Sequence, residues 1–333
     1  MNLLTFSKHT DTESPAEESV SHSLVTRTPF HIEDDWDFIC DNANHSCSHT
    51  EIETLIQKRI INLIDLEIMK VLATYHYINH HNLAAALSLR LHPGYHKTSY
   101  LSNIRKLKNA GILLSYHPVR KDDMAADLIA SPAAPLKLYC LSQSAYTYTA
   151  HLCPDIHPIL PSSAARKCEL AAAGQFLIQF EAHYKEKTIG INYQRGTKLG
   201  NTPFLIDAII LYHAAFAGEQ SQSLITLLLL SVRSHKNWEK AALSRLHLLR
   251  IWFSRHESEY PLPLPVLLVE NITMATSLYA KMASMESLAG FPIYFCPDSL
   301  LTAYPPLQAL YRCETSEDGK VTAVRMDLDT KDV

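Results

Sequence analysis

The sequence predicts an α+β unit followed by an α/β unit, on three observations. Apolar residues recur at helical spacing through a basic stretch from His96 to Lys121, and strand-like runs flank a polar loop immediately after it. Beyond a proline-punctuated segment, apolar strands alternate with amphipathic helices. The chain has 333 residues, 47% hydrophobic and 19% charged, which is enough for two domains with cores of their own. Its longest apolar run, Leu224 to Val232, is too short to cross a bilayer, and Met1 to Thr10 lacks the pattern of a secretory signal. A cytoplasmic protein without a membrane partner is expected. Seven scattered cysteines, an odd number, do not form a disulfide framework, so reduced thiols are expected.

Residues 1–53 are acidic, with only Lys8 and Arg27 opposing eleven carboxylates, and lack periodicity, which predicts a flexible arm. Within it FHIEDDWDFI mixes Phe30, Trp36 and Phe38 with acids. Disorder or a surface turn is the plain reading; docking on a partner or folding back over the basic helix is the sharper one. Cys40, His45, Cys47 and His49 offer four N/S ligands, but their spacing matches no usual zinc knuckle, and no metal site is expected.

From Glu53 to Tyr75, residues Ile60, Ile64, Ile68, Val71, Leu72 and Tyr75 follow steps of three and four, the pattern of a helix buried along one side. Asn79 is placed to cap a short helix through Leu87. The next helix carries Leu101, Ile104 and Leu107 as its apolar row and stops at Gly111. Its opposite face presents Thr98, Ser99, Ser102, Arg105, Lys106 and Asn109. Between Arg90 and Lys121 stand seven basic residues and no acid, a positive island in a chain of formal charge -4. Strands at Ile112 to Tyr116 and Leu136 to Leu141 enclose a polar loop. Three helices and a two-stranded wing, over 54–153, predict a winged helix-turn-helix, a fold that sets its third helix in the DNA major groove. The expected DNA-binding set is Lys97, Thr98, Ser99, Ser102, Arg105, Lys106, Asn109, Arg120 and Lys121, types suited to phosphates and base edges. A basic, merely solvated face is the simpler alternative. Ser142 caps a further helix, and His76, His80, His81 and His96 are expected at the surface or in loops.

CPDIHPILP places a linker at 154–162. The α/β unit, 163–310, follows. It comprises a helix from Ser163 to Tyr184, strands at Thr188 to Tyr193, Phe204 to Tyr212 and Leu224 to Val232, and a helix from Asn237 to His256. A strand at Val266 to Val269, a helix at Ile272 to Met285 and a strand at Phe291 to Cys296 complete it. Leu224 to Val232 is apolar on both faces, as in the centre of a covered sheet. Residues 311–333 form a terminal hairpin or tail, turning at Asp318 and Gly319.

The phrases LIDLEIMKVLATYHYINHHNLAAAL, YLSNIRKLKNAGIL, LKLYCLSQSA and ITLLLLSVRSHKNWEKAALSRLHLLRIW resemble the replication-relaxation family, winged-helix proteins of bacterial plasmids and integrative elements, over roughly Leu63 to Met282. The resemblance implies double-stranded DNA as partner, with replication or transfer proteins and a homodimer as further possibilities. It also implies a role in replication control, DNA transfer or transcription regulation. The second unit resembles the PD-(D/E)XK class. The whole expectation is an α+β winged helix-turn-helix domain followed by an α/β restriction-endonuclease-like domain. In that class an acid on the second strand and an acid-x-Lys triplet on the third hold Mg²⁺ and activate water. Asp207 suits the first position, but Ser231 and Arg233 stand where the acid and lysine belong, and a serine hydroxyl is a poor Mg²⁺ ligand. A degenerate site of Asp207, Ser231 and Arg233 is expected, with no catalytic residue, metal or cofactor. A metal-dependent nuclease using Asp207 with Glu169 or Glu181, and a protein-interaction module, are the alternatives. The sequence contains no Gly-rich phosphate loop, nucleophile elbow or zinc-protease helix.

Overall fold

Polar caps divide the N-terminal helices more finely than the apolar pattern does. In the computed structural model, which describes residues 30–32, 34–43, 46–91, 100–121, 136–153, 163–193, 196–199, 202–214, 223–256 and 263–328, the expected single helix to Tyr75 is two. Helix α1 is His49–Gln57 and α2 is Leu63–Tyr75. Each starts at a capping box, Ser48 with Glu51 and Asn62 with Asp65, in which side chain and backbone satisfy each other's orphan donors. The turn between them passes through Arg59 at φ 56.

The C-terminal part of the expected flexible arm is likewise ordered. Strand β1, Trp36–Cys40, pairs antiparallel along β3, Leu113–Arg120. Strand β2 is Ile78–Asn79, α3 is His80–Arg90, α4 is Tyr100–Asn109, and β4 is Leu138–Leu141. Asn79 caps α3 by accepting from the Asn82 backbone N–H. Gly111, at φ 69, takes the left-handed turn after α4 that a β-carbon would disfavour. The first sheet runs β1-β3-β4-β2. Helix α5, Gln143–Leu152, begins after Ser142, whose side chain makes no capping bond.

Helix α6 is Ala164–Tyr184, apolar and buried almost all round. It leads into β5 (Thr188–Tyr193), β6 (Gly196–Leu199), β7 (Thr202–Leu205), β8 (Ala208–Ala214) and β9 (Ser223–Ser231). The expected strand Phe204 to Tyr212 is thus interrupted at Ile206 and Asp207. After these come α7 (Trp238–His256), β10 (Pro263–Val269), α8 (Ile272–Ala283), β11 (Tyr294–Pro297), β12 (Leu310–Thr315) and β13 (Val321–Met326). The second sheet runs β13-β12-β11-β10-β9-β8-β5, with β9, β10 and β11 parallel and the other pairs antiparallel; β6 and β7 form a separate hairpin. The terminal hairpin is present as β12 and β13, turning at Gly319 with φ 78.

Separate cores, however, are not what the chain builds. One continuous apolar cluster runs from Phe30 and Phe38 through Ile68, Leu83 and Leu107 to Leu177, Leu229 and Leu268. Helix α6 lies at its middle and serves both sheets. A second cluster lies on the other face of the seven-stranded sheet, where Leu228 and Leu230 meet Leu246, Leu249 and Leu278 of α7 and α8. Strand β9 therefore contributes alternate leucines to two cores, which is why residues Leu227 to Leu230 are apolar without a break. Lys167 of α6 adds a polar tie: its buried ammonium lies 5.2 Å from the Tyr116 ring centre, 5.9 Å from Tyr77 and 6.0 Å from Phe38. The expected linker, 154–162, lies outside the described residues. Among the described residues no helix is long and apolar enough to cross a membrane, and all seven cysteines are free.

His76 differs from its expected surface position. It is buried at φ 62, stacked on Tyr146 with ring centres 5.4 Å apart, and burial, aided by the positive charge of Arg166, holds its imidazole well below the ordinary 6.5. An unfolded chain takes up this proton as pH falls through about 6.5 while the fold refuses it, so stability is lost on acidification below that pH. His80 and His81, also lowered by burial, act in the same direction. Urea midpoints between pH 7 and 5 should fall, and His76→Asn should flatten the slope; an unchanged slope in the variant would contradict this assignment.

Candidate functional site

Helix α4 buries Tyr100, Asn103, Ile104 and Leu107, whereas Leu101, expected in the apolar row, is exposed beside Ser102, Arg105 and Asn109 on the outer crest. Ser102, Arg105 and Asn109 are three of the residues the sequence assigns to DNA. Lys97, Thr98 and Ser99 lie outside the described residues. Arg105 has no carboxylate partner among the described residues.

Lys106 does not join that crest. It lies on one flank of α4, where its ammonium donates to the Asp65 carboxylate and, at 3.0 Å, to the Ile60 carbonyl. Asp65 is fully buried and also accepts from Asn103 Nδ2 at 2.7 Å, while its second oxygen caps α2 at the Asn62 backbone N–H, 2.7 Å away. One carboxylate thus fastens α4, α2 and the turn before α2. A lysine held in this way ties α4 to α2, an engagement the helical projection does not register because Asp65 lies 41 positions away.

The other flank meets Asp41, just after β1. Its carboxylate accepts from Lys108 at 2.8 Å, stands 2.9 Å from Lys137, and bonds the Ser115 hydroxyl and the His117 ring. Burial alone would raise the Asp41 carboxyl, but these four partners outweigh it and hold it well below the ordinary carboxylate range. Further along β3, Arg120 lies 3.7 Å from Asp35 and 5.6 Å from the centre of the Trp36 ring, and Lys121 donates to the Asp34 carbonyl at 2.5 Å. The acid-free segment is therefore edged by acids from the chain's N-terminal side, brought there by β1.

Asp207 sits at the interruption between β7 and β8, fully buried. Its Oδ1 accepts from Arg166 Nη2 at 2.6 Å, and its Oδ2 accepts from the Ser231 backbone N–H at 2.6 Å with Arg245 Nη2 3.7 Å away. Glu169 receives the same two guanidiniums, Arg166 Nη1 at 2.7 Å and Arg245 Nη1 at 3.2 Å. Arg245 also donates to the Ser231 carbonyl at 2.7 Å. Two carboxylates and two guanidiniums alternate, tying α6, β8, β9 and α7 together. Burial works against the charge on Arg166, but Asp207 and Glu169 more than offset it and hold the guanidinium protonated. Ser231 joins Asp207 through its backbone, and its buried hydroxyl has no hydrogen-bond partner among the described residues.

Arg233, expected beside Asp207 and Ser231, pairs elsewhere. Its Nη2 lies 2.9 Å from Asp298 Oδ2, off the line of a well-formed hydrogen bond, and its Nη1 donates to the Val232 carbonyl at 3.0 Å. Burial pushes the Asp298 carboxyl up to about 6, against the pull of Arg233 and the Phe30 backbone N–H. The neighbouring Glu270 accepts from the Ser234 backbone N–H at 2.7 Å and lies 3.1 Å from His31 Nδ1.

Three of these residues escape the sequence reading for different reasons. Asp65 has a local signal, the Asn62-x-x-Asp65 capping box; Arg166 has another, its three-residue spacing to Glu169 on one helix. Asp298 has none, since its partner lies on another strand end. Among the described residues no three His, Cys, Asp or Glu side chains converge as metal ligands. No known family, curated protein or solved structure matches this chain.

Proposed function

We propose that residues 49–152 act as a winged helix-turn-helix that binds double-stranded DNA, in replication control, transfer or transcription of a mobile element. The observation that carries this reading is the crest of α4. Arg105, exposed and without a carboxylate partner among the described residues, stands between Ser102 and Asn109 on a helix clamped on one flank by Asp65 and on the other by Asp41. A guanidinium and short polar side chains on a rigid helix suit base edges and phosphates. Arg105→Ala should weaken binding in mobility-shift titrations by about tenfold, the loss of roughly 1–3 kcal/mol that a specific arginine contact represents. Wild-type affinity should fall steeply with salt. An Arg105→Ala variant with unchanged affinity would sink the reading.

The seven-stranded unit is, on the same reading, a restriction-endonuclease-like scaffold without catalysis. What supports this is the occupation of Asp207: both oxygens already have cationic or N–H partners, and Ser231 supplies no second carboxylate. Plasmid DNA incubated with Mg²⁺ or Mn²⁺ should stay intact; cleavage that disappears in Asp207→Ala would overturn this part.

A further inference from the structure

We infer that the turn between α1 and α2 is a second phosphate-contacting element, so that duplex DNA crosses from the crest of α4 toward Lys58 and Arg59 rather than along β3. The inference rests on the DNA-binding reading above and specifies its footprint.

Positive charge is distributed unevenly about α4. On the β3 side Lys108 and Lys137 converge on Asp41, Lys121 donates to the Asp34 carbonyl, and Arg120 lies beside Asp35. A phosphate approaching there meets Lys108, Lys137 and Arg120 already beside carboxylates, and Lys121 with its ammonium already engaged by a backbone carbonyl. On the opposite side Lys58 and Arg59 are exposed, and neither has a carboxylate partner among the described residues. Together with Arg105 they are exposed cations of this region that no carboxylate among the described residues pairs. Counterion release, the main source of nucleic-acid affinity, requires cations of this kind.

The turn is also held in place. Backbone N–H groups of Lys58, Arg59 and Ile60 donate to the carbonyls of Thr54, Ile56 and Leu55 at 3.0, 2.9 and 2.9 Å. Lys106 then fastens the turn to α4 through the Ile60 carbonyl and Asp65. Lys58 and Arg59 therefore keep a constant position relative to Arg105. Arg59 occupies φ 56, a conformation that glycine takes at little cost and a side-chain-bearing residue does not. That makes Arg59→Gly a substitution which removes the charge and preserves the backbone.

The test is a set of titrations of the full chain with fluorescein-labelled duplexes over 50 to 200 mM salt. Lys58→Ala/Arg59→Ala should bind about tenfold or more weakly, and the slope of log affinity against log salt should shrink by about two. Arg59→Gly should lose about one unit of slope, whereas Arg120→Ala/Lys121→Ala should lie near wild type. Turn variants at wild-type affinity and slope, with Arg105→Ala still weakened, would overturn this footprint and leave the DNA reading standing. No effect in either would remove both. Loss confined to the Arg120/Lys121 variant, or binding of the wild type to phosphatidylglycerol vesicles and not to duplex, would equally overturn it.

Discussion

Asp207→Ala should lower the unfolding free energy by about 3–5 kcal/mol, the cost of breaking a buried ion pair from one side. The physical reason is what remains. Arg166 and Arg245 would share a single carboxylate, Glu169, and the Ser231 backbone N–H would lose its acceptor. Arg166 is 20% exposed and Arg245 24%, so water offsets part of the imbalance and the lower end of the range is expected. Asp207→Asn keeps an acceptor for Ser231 and loses only charge, so it should fall between wild type and alanine. Urea midpoints measure both. A wild-type midpoint for Asp207→Ala would show that the alternating carboxylates and guanidiniums contribute nothing to the fold.

Arg233→Met should show a stability loss that depends on pH, greater at pH 7 than at pH 5 by about 1 kcal/mol. Without the guanidinium, Asp298 sits fully buried and is most stable neutral. In the unfolded chain its carboxyl titrates near 3.8. Its folded value is raised already and rises further in the variant, so stability present below pH 3.8 is lost progressively as pH climbs. Holding the proton at pH 7 costs the variant about 4 kcal/mol where the wild type, with Asp298 raised to about 6, already loses about 3 kcal/mol; at pH 5 both hold the proton at a cost of about 2 kcal/mol. Replacing both partners, Arg233→Met with Asp298→Leu, removes that dependence. Because the native pair is poorly aligned, the double variant should be near wild type or more stable. A single variant equally destabilised at both pH values would contradict this account of Asp298.

Much of the fold is legible locally. The Asn79 cap, the Gly111 stop, the β12–β13 hairpin and the two-faced leucine run of β9 all follow from rules that act over a few residues. The break between α1 and α2 was open to the same reasoning, since Asn62 and Asp65 form a capping box, but the apolar steps through Ile60 and Ile64 carry across it. β1 was not legible. Its mixture of acids and aromatics resembles a disordered arm, and only the offered edge of β3 gives Phe38 a core to enter.

The candidate site divides in the same way. The crest residues Ser102, Arg105 and Asn109 follow from 100° steps along one helix, because exposure there depends only on which face carries the apolar row. Which cations stay available does not follow from spacing. Electrostatic pairing acts through space, so an acid-free stretch of sequence can be flanked by Asp41 and Asp65 once strands and helices pack. The same holds for Arg233, two residues from Ser231 yet paired with Asp298 at the end of another strand. By itself, then, the sequence determined most element positions, the mixed α and β class and the exposed crest, because periodicity and caps are local. The tertiary structure alone decided the shared core, the carboxylate-edged flank along β3 and the partners of Lys106, Asp207 and Arg233, because burial and charge pairing depend on distances that no local pattern records.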